Sequence, residues 1–123
     1  MDCLFCKIAK KEIESKVLYE DNDYIAFLDI DQETEGHTLV IPKRHVTDYT
    51  ELTKEDYDNM FAIAKKLNPM LQDTLKKPGI TMLFNYGEAQ MIKHVHLHLL
   101  PDFLVEKSSK TQDEVYEILK SNQ

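Results

Sequence analysis

The chain has 123 residues, 42% hydrophobic and 30% charged, with a formal net charge of −7. One domain around a single core is the expectation at this length. The acidity argues against general affinity for nucleic acid or anionic membrane, and the longest apolar stretch, Tyr24 to Leu28, falls far short of the ~20 residues of a membrane span.

Met1-Asp2-Cys3 has neither the basic nor the apolar segment of a secretory leader, so a cytoplasmic location is the expectation. Cys3-x-x-Cys6 follows. A disulfide there would close only a tiny loop, which leaves metal binding, redox chemistry or two free thiols. No strand precedes the pair, and that weakens the redox reading.

Residues 5–12 can form one or two helical turns. Val17–Glu20 and Tyr24–Asp29 read as short strands joined by the turn cluster Asp21-Asn22-Asp23. Residues 30–36 are an acidic loop ending in Gly36, and His37–Ile41 is a strand stopped by Pro42. Thr53 reads as a helix N-cap, with Leu52 and Tyr57 placed as a hydrophobic staple. Apolar positions 57, 60, 61, 64, 67, 71 and 75 keep helical spacing; Pro69 should kink or split this helix, and Pro78-Gly79 should end it. Ile80–Asn85 and His94–Leu100 are two further strands across a loop containing Gly87. Thr111 to Glu114 has capping-box form and opens a short final helix with Val115, Ile118 and Leu119 on one side. This order predicts one α+β domain over 1–123. Its antiparallel sheet carries helices on one face, chiefly the long helix, and a short helix closes the chain.

All five histidines lie in two short stretches, and His94, His96 and His98 alternate with Val95, Leu97 and Leu99. On an extended strand alternate side chains leave the same face, so the run builds an imidazole face backed by an apolar one. Three readings compete: hydrogen-bonded half-buried histidines, three ligands on one metal, or a division in which an end histidine binds metal and the others do chemistry. The outer two Cα atoms would lie roughly 13 Å apart, while zinc sits only ~2.0–2.1 Å from each nitrogen. Geometry favours the division. Cys3, Cys6 and a histidine from elsewhere would suit tetrahedral zinc, and His45 is a candidate fourth ligand.

With His-Val-His-Leu-His-Leu-Leu in place, the chain resembles the histidine triad (HIT) family. Ala26-Phe27-Leu28-Asp29-Ile30 and the run Gly36 to His45 resemble its other two signature segments, and Cys3-Leu4-Phe5-Cys6-Lys7-Ile8 is similar to the opening of its zinc-containing bacterial members. The likeness spans residues 2–101 and leaves the tail, 102–123, uncovered. It implies a homodimeric α+β fold and a nucleotidyl hydrolase acting on nucleoside 5′-phosphoramidates or dinucleoside polyphosphates of AMP or GMP, with no nucleic-acid or membrane partner. By position it makes His96 the nucleophile and sets His98 and Gln90 at the phosphate and leaving group. His37 supports the imidazole cluster. Asp29 takes the ribose hydroxyls, Phe5, Ile8, Phe27 and Ile30 wall the base pocket, and Asn85 lies near the phosphates. Cys3, Cys6, His45 and His94 would hold a structural Zn2+.

Chemistry agrees: neutral imidazole, with an ordinary pKa near ~6.5, is a nucleophile at pH 7, and a carboxylate accepts from both vicinal hydroxyls of a ribose. Asp29 could equally be a strand-end turn residue, and the pocket residues simply core. Two departures, Ala89 where relatives have Gly and Met91 where many have Ser or Thr, leave the leaving-group preference open. A nucleotide-binding module with negligible turnover, or a zinc hydrolase using metal-bound water, are the alternatives.

Overall fold

The computed structural model describes residues 3–103 and 108–121; the first two residues and part of the tail after Pro101 lie outside the described residues. Five strands, β1 (Val17–Glu20), β2 (Tyr24–Leu28), β3 (Thr38–Pro42), β4 (Ile80–Leu83) and β5 (Leu97–Pro101), form one sheet in the order β1-β2-β3-β5-β4. Every pairing is antiparallel. Three helices accompany it: α1 (Leu4–Ala9), α2 (Lys54–Leu75) and α3 (Gln112–Ser121). This is the α+β architecture expected, with one long helix on the sheet and a short one at the end. Among the described residues no helix is long and apolar enough to cross a membrane.

The two faces of the sheet carry different cores. Ala26, Val40, Leu97 and Leu99 pack on Met60, Ile63, Ala64, Leu67 and Leu71 of α2. Ile25, Phe27, Leu39 and Ile41, one residue out of phase, pack with Phe5 and Ile8 of α1. Strand alternation alone produces this split. It corrects the expectation of helices on a single face: α1 covers the side that α2 leaves open, and none of the described residues of α3 is buried.

α2 begins where its cap dictates. The Thr53 hydroxyl accepts from Asp56 N and the Asp56 carboxylate accepts from Thr53 N, while Leu52 and Tyr57 join the α2 core. The helix runs unbroken through Pro69, against expectation. Pro69 and Lys65, whose carbonyl loses its i+4 partner, both face solvent, so water can meet the freed oxygen. Ile63, not Phe61, completes the buried stripe. Phe61 stacks on Tyr57 at the surface.

Other boundaries shift by a residue or more. Pro42 is the last residue of β3, paired with Tyr24, rather than its stop. The ladder of β5 starts only at Leu97, so His94 lies in a bend and His96 in extended chain outside the hydrogen-bonded pairs. Val95 nonetheless enters the α2 core with Leu97 and Leu99, so the alternation holds beyond the ladder. Gly36, at φ +87°, closes the acidic loop, and a Cβ there would collide with Leu75.

Candidate active site and metal centre

Cys3 and Cys6 occupy the N-cap and third positions of α1, so both sulfurs sit over its first turn, and Cys3 Sγ accepts from Cys6 N at 3.3 Å. His94 Nε2–H donates to the Pro42 carbonyl at 2.8 Å, which leaves Nδ1 bare. That nitrogen stands 3.3 Å from Cys3 Sγ and 3.4 Å from Cys6 Sγ, and His45 Nδ1 is 3.3 Å from Cys6 Sγ. All four donor atoms lie within 4.8 Å of one another. Tetrahedral zinc, at ~2.3 Å from sulfur and ~2.0–2.1 Å from nitrogen, needs donors roughly 3.3–3.8 Å apart. The set therefore fits such an ion, with Pro42 O as the outer partner that orients His94. Burial first, then the hydrogen bond with Cys3, pushes the Cys6 thiol up to about 11, so a metal must displace its proton.

His96 is turned the other way. Its Nδ1–H donates to the His94 carbonyl at 2.8 Å, so the lone pair sits on Nε2. The Phe5 ring meets it edge-on, centroids 5.0 Å apart. Burial holds its pKa below the ordinary 6.5, and the ring is neutral near pH 7.

His98 takes the same tautomer as His94, fixed by a side chain instead of a carbonyl. An amide can only donate, so Glu33 N–H, 3.3 Å from His37 Nδ1, marks that nitrogen as an acceptor. His37 Nε2–H then donates to His98 Nδ1 at 2.8 Å, which puts the His98 proton on Nε2. That atom is buried with no partner among the described residues, a donor awaiting an acceptor. Burial, reinforced by His96 and His37, pushes His98 down to about 3, and burial lowers His37 as well. His94 falls to about 4, mainly for the same reason.

Of the remaining candidates, Asp29 and Phe5 are the two that meet these rings directly among the described residues. Asp29 accepts from Asp31 N at 3.0 Å through one oxygen, while the other lies 3.6 Å from His37 Nδ1. Phe5, Ile8 and Phe27 are buried, whereas Ile30 is 93% exposed beside Asp29. Leu83, the last residue of β4, pairs with His98, and Asn85 follows two residues beyond the strand end. Gln90 is buried, with Nε2 donating to Thr47 O at 2.5 Å, which leaves one N–H of the amide uncommitted there.

Sequence reasoning missed a second polar centre. The buried Asp56 carboxylate accepts from Tyr24 Oη at 2.6 Å, from Arg44 and from Thr53 N at 2.9 Å. Arg44 precedes His45, so this network pins the loop that carries a cluster histidine. Only its place in the first turn after the Thr53 cap signalled Asp56; its partners come from β2 and the β3 end.

Three alternate imidazoles delivered by a five-stranded antiparallel sheet, the leading one turned toward two thiols, define a histidine triad domain. Residues 10–104 match the HIT domain model, and the chain belongs to the HIT family. Protein hit of Bacillus subtilis is 40% identical over 104 residues, 83% of this chain and 72% of that protein. A crystal structure from Streptococcus mutans UA159 superposes with a TM-score of 0.84 at 39% identity, over 98% of this chain and 82% of that one. A Zn-bound histidine triad family protein from Mycobacterium smegmatis gives 0.78 at 32% identity, covering 98% and 92%. A hypothetical histidine triad nucleotide-binding protein of Sulfolobus tokodaii gives 0.78 at 34%, covering 97% and 87%.

Proposed function

We propose that this chain is a nucleotidyl hydrolase that cleaves nucleoside 5′-phosphoramidates or dinucleoside polyphosphates and releases a nucleoside monophosphate. The observation that carries the reading is the pairing of His96, with a bare Nε2, and His98, with a protonated and unpartnered Nε2. His96 Nε2 attacks the α-phosphorus and forms a P–N bond as the bond to the leaving group breaks. His98 Nε2–H steadies a non-bridging oxygen, and the leaving nitrogen takes its proton from water, which becomes hydroxide. That hydroxide attacks phosphorus and the P–Nε2 bond breaks, which frees His96 for another cycle. Gln90 and Asn85 serve the phosphate, and Asp29 the ribose. Phe5, Ile8, Phe27 and Ile30 would wall an apolar slot for a purine base.

Cys3, Cys6, His45 and His94 would hold Zn2+. Four protein donors leave no open position, so the ion supplies rigidity by tying α1, the β3 end and the triad together. A homodimer accompanies the reading through family likeness.

The test is intact mass after brief incubation with an aminoacyl adenylate or a nucleoside phosphoramidate. Wild type gains one mononucleotide and His96→Ala gains none. Turnover by His96→Ala would refute the mechanism, and binding without adduct or release would mark a nucleotide-binding module instead.

A further inference from the structure

The four metal donors are not held alike. Cys3 and Cys6 share the first turn of α1, and His94 is fully buried with its ring fixed by Pro42 O. His45 is exposed and lies in irregular chain beyond the end of β3. Its ring bonds Cys6 Sγ and meets the His94 ring edge-on, both of them fellow ligands. Among the described residues no hydrogen bond from outside the ligand set orients this imidazole, so its aim depends on the main chain that carries it. That main chain is fastened on both sides. After His45, Val46 is buried in the α2 core and its carbonyl accepts from Val95 N at 2.7 Å, next to His94. Before it, Arg44 donates to Asp56, whose carboxylate also accepts from Tyr24 Oη at 2.6 Å and from Thr53 N at 2.9 Å. Asp56 is 2% exposed, so a buried carboxylate fixed by the cap of α2 and by β2 anchors a half-exposed arginine.

We propose that Arg44 is a positioning residue for the metal centre: anchored on Asp56, it sets the chain so that His45 Nδ1 reaches the ion. This rests on the reading of Cys3, Cys6, His45 and His94 as a zinc site. An exposed ligand on a loose segment must be ordered as the metal binds, and that ordering subtracts from affinity. With Arg44 on its anchor the ordering is complete before the metal arrives. Removing the guanidinium leaves all four donors in the sequence and takes away the preorganisation of one.

The experiment measures Zn2+ affinity, by competition with a chromogenic chelator, for wild type, Arg44→Met and Arg44→Lys, each with His45 intact and with His45→Ala. Arg44→Met leaves Asp56 its Tyr24 and Thr53 donors and keeps the fold, which circular dichroism checks. It binds Zn2+ about tenfold more weakly than wild type, within the range of outer-shell losses. Arg44→Lys keeps a charged donor and falls between the two. With His45→Ala in place neither Arg44 substitution weakens binding further, because each acts through a ligand already gone. A general loss of structure would instead lower affinity equally in both backgrounds. Wild-type affinity in Arg44→Met, or the same loss with and without His45, overturns the positioning role alone. A wild type that takes no Zn2+ from the chelator would overturn the zinc reading and the positioning role with it.

Discussion

Replacing Asp56 by Asn keeps the side-chain shape and removes the charge at the junction of α2, β2 and the β3 end. An asparagine whose oxygen accepts from Tyr24 Oη turns its amide donors on Thr53 N and the Arg44 guanidinium, and the flipped amide serves those two and sets its donors against Tyr24 Oη. Tyr24 is only 4% exposed, so its hydroxyl cannot turn to water; Arg44 is 51% exposed and can. Losing one charged acceptor at a buried donor and one ion pair with a half-solvated partner should cost about 2–3 kcal/mol at pH 7. For a domain of this size that lowers the thermal midpoint by roughly 10 °C. The pH dependence gives a second readout. The Arg44 guanidinium, followed by the Tyr24 hydroxyl and Thr53, holds the Asp56 carboxyl well below the usual carboxylate range. A depressed folded-state pKa stabilises fully above the unfolded value of ~3.9 and loses that contribution as pH falls below it. The gap between wild type and Asp56→Asn should therefore narrow by about 1.4 kcal/mol per pH unit below ~4. Denaturant unfolding followed by circular dichroism at pH 7 and pH 3 measures both quantities. A loss under about 0.5 kcal/mol at pH 7, the scale of an ordinary surface change, or a gap of equal size at both pH values, would refute the reasoning.

Two further outcomes are expected. Because burial depresses His96, kcat/KM should hold steady from pH 8 down through the ordinary imidazole value of 6.5 and fall only below it; a limb centred at 6.5 would show that the ring titrates as if in water. His45 is exposed, so His45→Ala should leave the fold intact while weakening Zn2+ binding by more than the ~100-fold seen for outer-shell losses. Competition with a chromogenic chelator measures this, and wild-type affinity in the variant would remove His45 from the ligand set.

Local signals read well here because their geometry is local. The Thr53 cap acts within one turn, and alternation along His94 to Leu99 survives even where the ladder hydrogen bonds do not. Pairings distant in sequence were legible only through the family pattern, as with Cys3 and His94, 91 residues apart. What stayed hidden was set by tertiary surroundings. Whether Pro69 breaks a helix depends on which side of the cylinder meets water. Ile63 rather than Phe61 is buried because the sheet chooses the stripe. Asp56 reads as a first-turn acid until the fold brings Tyr24 and Arg44 to it. The side of the sheet taken by α1 turned on a one-residue phase that no short apolar run declares.

Two of the three triad rings are programmed by carbonyl oxygens, Pro42 O for His94 and His94 O for His96. No exchange of a neighbouring side chain can delete those acceptors. Which nitrogen is bare is thus written into the path of the main chain. A ribbon of the same composition, displaced by one position, would still display imidazoles but would assign them no division of labour.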